Sequence, residues 1–245
     1  MHFEQDYKTI IMRCLLDGSV KKNRNGFTKY LFAETLKIDL NKGFPIVTGK
    51  KIFFEKALGE FLWIWGGHTD VSFLHKYGIK WWDEYAKDGN VNKSYGHQIK
   101  SFGKGTDQIE YAANELLNSS RRAVVTLWNP EELKDQVLPC CYTQLIYSRD
   151  NDKLNLQVTF RSSDLFLGLP YDVCVLSLFL ISMAKKTGLK PDKLSLTLTD
   201  AHIYEEHKEQ AIKYYHTPNY TLPKLDGKEL KDYKHGELIK AKLIL

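Results

Sequence analysis

This chain of 245 residues is notable first for what it lacks. No segment approaches the roughly 20 consecutive apolar residues that a membrane helix needs, which argues against a membrane protein. The opening MHFEQDYKTIIMRCLLDG carries acids and bases through its apolar stretch, so it does not read as a secretory signal peptide. Neither a Walker loop nor a G-x-G-x-x-G run is present, so any phosphate recognition would rest on side chains. Cysteine is limited to Cys14, Cys140, Cys141 and Cys174. No C-x-x-C pair suggests zinc, and the adjacent Cys140 and Cys141 do not suggest a disulfide framework. A reduced, cytoplasmic setting without a metal is expected. Repeats, low-complexity tracts and linkers are absent too.

What is present is apolar and aromatic. Hydrophobic residues make up 43% and aromatics 13%, enough for one large core. The net charge of +5 is mild. It fits a solvated basic surface or a site for phosphate-bearing ligands. Apolar spacing predicts helices over 3–17, 53–65, 69–78, 107–117, 171–187 and 203–215. Strands are expected over 30–40, 123–128, 141–148, 154–161 and 194–199. KKNRNGFTK reads as a turn, 81–103 as irregular, and the last thirty residues as poorly periodic. The expected fold class is α+β, a mixed sheet packed against helices, with 1–245 as a single domain.

The chemistry-bearing stretch is Leu138 to Asp172, LPCCYTQLIYSRDNDKLNLQVTFRSSDLFLGLPYD. It holds a thiol, Cys141, and a fixed cation, Arg161, at the end of the neighbouring strand. A nearby guanidinium is expected to lower the thiol pKa and supply thiolate. The alternative is a cysteine serving as a small apolar residue. In a strand Cys140 would point to the opposite face. Arg24, Arg121, Arg122 and Arg161 suit phosphate oxygens, or equally surface ion pairs. Glu60, flanked by Leu58, Phe61, Leu62 and Trp63, is a candidate proton-transfer group if buried, or a solvent-facing position on an amphipathic helix. Asp83, Tyr95, Asp164, Asp172, His202 and Tyr204 are polar residues amid apolar segments, and core hydrogen bonds would explain any of them.

Read together, GFPIVTGKK, GEFLWIWGGHTD, WWDEYA, YGHQ, SSRRAVVTLWNP, LPCCYTQ, RSSDLFLGLPYD, GLKPDKL, TDAHIYEEH and the terminal IKAKLIL resemble the thymidylate synthase family along nearly the whole chain. The resemblance implies a homodimer with sheets packed back to back. It implies 5,10-methylenetetrahydrofolate as co-substrate and a pyrimidine nucleoside monophosphate as acceptor. By the resemblance Cys141 is the nucleophile, Glu60 the general acid/base, and Tyr95 acts in proton removal from C5. Arg24, Arg161 and Ser162 match phosphate ligands, and Arg121 and Arg122 the pair reaching the partner's site. Arg24 sits where the family has a glycine-richer turn. His202 and Tyr204 match the pair on the sugar hydroxyl. Trp82, Tyr85, Asp164, Leu167, Gly168 and Tyr171 match folate-site positions, and Lys50 a contact to the folate tail.

Two departures redirect the expectation. Asp172 stands where the family has an asparagine that pairs with the base edge. Uracil offers an N3–H donor and an O4 acceptor; cytosine offers an N3 acceptor and an N4 amino donor. A carboxyl group accepts from N4 and, when protonated, donates to N3. Asp172 therefore favours cytosine, as in the deoxycytidylate hydroxymethylases of some phages, which serve DNA modification. Drift in a uridylate enzyme is the alternative. Tyr142 replaces a histidine beside the nucleophile, and Cys140 replaces a proline with no evident chemical reading. The expected reaction is hydroxymethylation of deoxycytidylate (dCMP). Its methylation, thymidylate synthesis or hydroxymethylation on deoxyuridylate (dUMP), and an inactive RNA-binding relative are the alternatives.

Overall fold

The structure is a computed structural model and describes residues 2–244. Helix α1 (Phe3–Asp17) starts where His2 Nδ1 accepts from the Glu4 amide, and it buries Tyr7, Ile11 and Cys14. Strands β1 (Ser19–Asn23) and β2 (Gly26–Asp39) follow as a hairpin. The expected turn over KKNRNGFTK is therefore the hairpin tip together with parts of both strands. β1 is almost wholly exposed, so it carries no apolar alternation to betray it.

Helix α2 (Phe54–Trp65) buries Ala57, Leu58, Phe61 and Trp63. Only one turn, α3 (Ser72–His75), forms in the expected helix over 69–78. A short helix, α4 (Tyr95–Lys100), interrupts the region expected to be irregular. Helix α5 (Gln108–Leu117) is capped by Asp107, whose carboxylate accepts from the amides of Ile109 and Glu110.

The rest of the sheet comes from β3 (Val124–Thr126), β4 (Tyr142–Asp150), β5 (Lys153–Phe160) and the short β6 (Ser163–Asp164). Helix α6 (Gly168–Thr187) is followed by β7 (Lys190–Tyr204). The order is β1-β2-β7-β5-β4-β3, with β6 beside β7. β5 and β6 run parallel to β7, and the other pairs are antiparallel. A mixed sheet packed against helices is the α+β class expected.

α6 tolerates Pro170 because it lies in the first turn, where no intrahelical N–H is needed. It ends at Gly188, which adopts φ 70°. At 20 residues it is long and apolar enough to cross a membrane, which corrects the expectation that no segment is. Its apolar residues are instead largely buried, with Phe179 against Phe61 and Trp65 of α2.

The helix expected over 203–215 begins only at Lys208, as α7 (Lys208–Tyr215). His202 and Tyr204 lie on β7, paired with Tyr30 and Thr28 of β2. A small hairpin, β8 (Lys224–Asp226) and β9 (Glu229–Lys231), occupies part of the tail expected to be irregular. The chain then returns over loop 48–51, where Gly236 N donates to Thr48 O at 2.8 Å. A Cβ on Gly236 would lie 2.2 Å from Gly49 O, so only glycine allows that crossing. Leu245, the last residue of IKAKLIL, lies outside the described residues.

Candidate active site

Cys141 immediately precedes β4, whose pairing with β5 is bulged between Tyr142 and Gln144. A bulge re-aims side chains at a strand end. Cys140 is fully buried and Cys141 partly exposed, and both precede the strand, so the opposite-face alternation expected of a strand does not apply to them. Arg161 folds back along this segment. Its backbone N–H donates to Cys141 O at 2.9 Å, Nε to Cys140 O at 3.0 Å and Nη2 to Pro139 O at 2.7 Å. These bonds fix the guanidinium with Nη2 3.9 Å from Cys141 Sγ. Tyr95, near the start of α4, accepts from the Cys141 amide at 2.6 Å through its hydroxyl. Burial holds this phenol well above its ordinary pKa, so it stays protonated.

The thiol is not lowered as expected. Burial raises the Cys141 pKa, Arg161 acts against it, and the carboxyl groups of Asp172 and Asp164 add to the rise. In the ligand-free protein desolvation outweighs the single cation.

A cavity of about 520 Å³ opens at Cys141 and gathers Arg24, Arg161, Ser162, His202 and Tyr204. Tyr85, Asp164, Leu167 and Gly168 form another part of its wall. The Asp164 carboxylate accepts from the amides of Phe166 and Leu167 at 2.8 and 3.2 Å, which fixes the turn entering α6. Leu243 and Ile244 of the returning tail also line the cavity.

Two acids lie behind the thiol. Glu60 accepts from Trp82 Nε1 at 2.6 Å; burial raises its pKa against the hydrogen bonds of Trp82 and Trp81. Asp172, in the first turns of α6, is held well above the carboxylate range by burial, then by Glu60 and Asp164. Among the described residues no hydrogen bond reaches its carboxyl group. A Cβ on Gly168 would lie 3.8 Å from Asp172 Oδ2, so this half-buried acid adjoins the Gly168 part of the cavity wall. Tyr171 packs on Trp81, with ring centroids 5.6 Å apart.

Three predicted residues lie elsewhere. Lys50 is buried, with Nζ donating to Phe166 O at 2.5 Å and lying 3.7 Å from the Phe166 ring centroid. Burial pulls its pKa down to about 7, against the pull of Asp164 and Glu4. In this conformation it braces the turn after Asp164 and is not part of the cavity wall. Arg121 and Arg122 are exposed beside β3, away from the Cys141 cavity.

Sequence reasoning missed Asp200, Lys21, Asn23 and Asn25 in the cavity wall. Asp200 Oδ1 contacts His202 Nδ1 at 2.9 Å, and Asp200 Oδ2 accepts from Lys21 Nζ at 2.7 Å. Burial pushes the Asp200 pKa up, yet the bonds from His202 and Lys21 hold it below its ordinary value. The signal was in TDAHIY, because residues two apart on a strand share a face. Tyr142, read only as a departure, is buried with its ring 4.7 Å from that of Tyr95. Among the described residues no group of three or more His, Cys, Asp or Glu side chains could hold a metal.

A thiol beside a fixed guanidinium, backed by two half-buried acids at the end of a sheet, is equipped for covalent group transfer to an anionic substrate. Comparison with protein families matches residues 5–243 to thymidylate synthase, and the chain belongs to that family. The family's chemistry is folate-dependent one-carbon transfer to C5 of a pyrimidine nucleotide, with methylenetetrahydrofolate as co-substrate.

Proposed function

We propose that the enzyme transfers the one-carbon unit to C5 of deoxycytidylate and releases 5-hydroxymethyl-deoxycytidylate. The observation that carries this reading is Asp172, an acid whose pKa is raised by burial and by Glu60 and Asp164. In its protonated form it donates to cytosine N3 and accepts from the N4 amino group. Uracil presents the reversed pattern, and a site built for one pattern rejects the other strongly.

The nucleotide phosphate is held by Arg24, Arg161 and Ser162, and the sugar by His202 and Tyr204. An arriving phosphate sits near Arg161 and Cys141, and Cys141 adds to C6 as thiolate. Folate supplies the one-carbon unit at the oxidation level of formaldehyde. The wall of Leu167, Gly168, Tyr85 and the tail residues Leu243 and Ile244 is apolar enough for a flat ring, and Asp164 adds a fixed carboxylate for its polar edge. Tyr95, next to Cys141, assists removal of the C5 proton. Glu60 moves protons at the base edge. Arg121 and Arg122 reach the site of the second subunit in a homodimer, which fits their exposure away from their own cavity.

Methylation of the same nucleotide is the second reading. The tail residues over the cavity favour it, because hydride transfer needs water excluded. The test offers deoxycytidylate and deoxyuridylate separately with methylenetetrahydrofolate. Product is identified by mass and dihydrofolate by absorbance. A hydroxymethyl cytosine product without dihydrofolate is expected. Stoichiometric dihydrofolate establishes methylation, and turnover of deoxyuridylate alone overturns the reading of Asp172.

A further inference from the structure

Tyr142 is buried at 2% exposure, yet its hydroxyl has no hydrogen-bond partner among the described residues. Leaving a buried hydroxyl unpaired is costly, so such a group calls for an occupant. Its ring is gripped by Tyr95 and by Phe160, with centroids 4.7 and 5.5 Å away. Trp82 packs against the same Tyr95 at 5.7 Å and donates to Glu60. The hydroxyl thus belongs to one aromatic cluster that joins the nucleophile's support to the buried acid. Burial raises its pKa well above the ordinary value, and Asp172 and Glu60 are the next largest causes. The group remains a neutral phenol that both donates and accepts.

We infer that Tyr142 is a positioning residue whose hydroxyl, with Glu60, holds the water consumed in forming the hydroxymethyl group. This inference rests on the hydroxymethylase reading. After departure of tetrahydrofolate the substrate carries an exocyclic methylene at C5 and the Cys141 sulfur at C6. The water oxygen bonds to the methylene carbon, and its proton passes to the Glu60 carboxylate. The methylene π pair becomes the C5–C6 double bond. The C6–S bond breaks, and the sulfur leaves with its electron pair as thiolate. No oxidant or reductant is required. Hydride transfer to the same methylene is the competing fate, so water held in place decides the product.

The test compares wild type with Tyr142→Phe, which removes one oxygen and keeps the ring. Hydroxymethyl and methyl products are quantified from the same reaction by mass. Their ratio is independent of how much enzyme is folded, so a merely structural role leaves it alone. The expected result is that methyl product, below detection with wild type, appears with Tyr142→Phe, so that the hydroxymethyl-to-methyl ratio falls at least about tenfold below the wild-type bound, the size of one lost hydrogen bond. An unchanged ratio overturns the inference and leaves the hydroxymethylase reading standing. Wild type that forms no hydroxymethyl product overturns that reading and this inference with it. Should Tyr142→Phe fail to fold, a crystal structure of the wild-type nucleotide complex decides. A water within hydrogen-bond distance of both Tyr142 Oη and Glu60 is expected, and its absence overturns the inference.

Discussion

Two regions of this molecule bury carboxyl groups, and they treat them in opposite ways. Near the N-terminus, Glu4 is fully buried and accepts from Thr48 N at 2.8 Å, Thr48 Oγ1 at 2.6 Å, Gly49 N at 2.7 Å and Tyr214 Oη at 2.6 Å. Lys8 beside it donates to Thr217 O and Asn219 Oδ1, both at 2.7 Å. Every strong group in that corner has a partner, and the corner ties α1, loop 48–50 and α7 together. Behind Cys141, Glu60 has indole donors, and the Asp172 carboxyl accepts no hydrogen bond from the described residues. Their pKa values rise because burial is not compensated. The difference separates a carboxylate used to hold the fold from acids kept ready for a ligand.

That contrast is broken most severely at the thiol. Replacement of Cys141 by Ser should reduce turnover by about 10⁴-fold or more, because no covalent adduct forms. Release of tritium from C5-labelled nucleotide measures it, and substantial release by the variant would remove Cys141 from the reaction. The N-terminal corner should respond in stability instead. Glu4→Ala leaves four buried donors unpaired and should cost about 3–5 kcal/mol in urea unfolding, with turnover per folded molecule retained. Glu60→Gln is its counterpart: little stability lost, but turnover down by about 10²-fold or more. If Glu60→Gln proved the more destabilising of the two, the distinction between the regions would fail.

Asp172→Asn sharpens the comparison. The ratio of kcat/KM for deoxycytidylate over deoxyuridylate should fall by about 10²-fold. The same variant tests the raised pKa through thermal stability. Folded Asp172 retains a proton that the unfolded chain releases above about pH 4. Wild type should therefore lose stability, relative to Asp172→Asn, as pH rises from there toward the raised folded value. Tm measured for both proteins across that range checks the sign, and a wild-type Tm that rises relative to that of Asp172→Asn with rising pH would contradict it. This is the smallest of the expected effects.

Legibility in the sequence followed the strength of the local pattern. α2, α5 and β5 were readable because each shows one apolar face at one period. β1 and the tip of its hairpin were not, since an exposed edge strand need not alternate. Ile203 and Tyr204 look helical in the sequence, yet pairing with β2 holds them in β7. In the site, Cys141, Arg161, His202 and Tyr204 were placed together by motif, and one cavity contains all four. Asp200 escaped because the expected strand stops at 199 and the expected helix starts at 203, which leaves Asp200 and His202 between elements and hides their common strand face. Lys50 shows the limit most plainly: the resemblance assigns it to the folate tail, yet its ammonium lies against Phe166 O.

By itself the sequence determined the class of fold, the candidate nucleophile and the presence of an acid where an amide was expected. Those depend on residue type and order along the chain, which sequence records directly. Tertiary structure alone decided the raised pKa of that acid, the raised thiol, the tail residues lining the cavity and the unpaired hydroxyl of Tyr142. Each depends on how far a group is removed from water and on which distant groups surround it, and both quantities exist only once the chain has closed on itself.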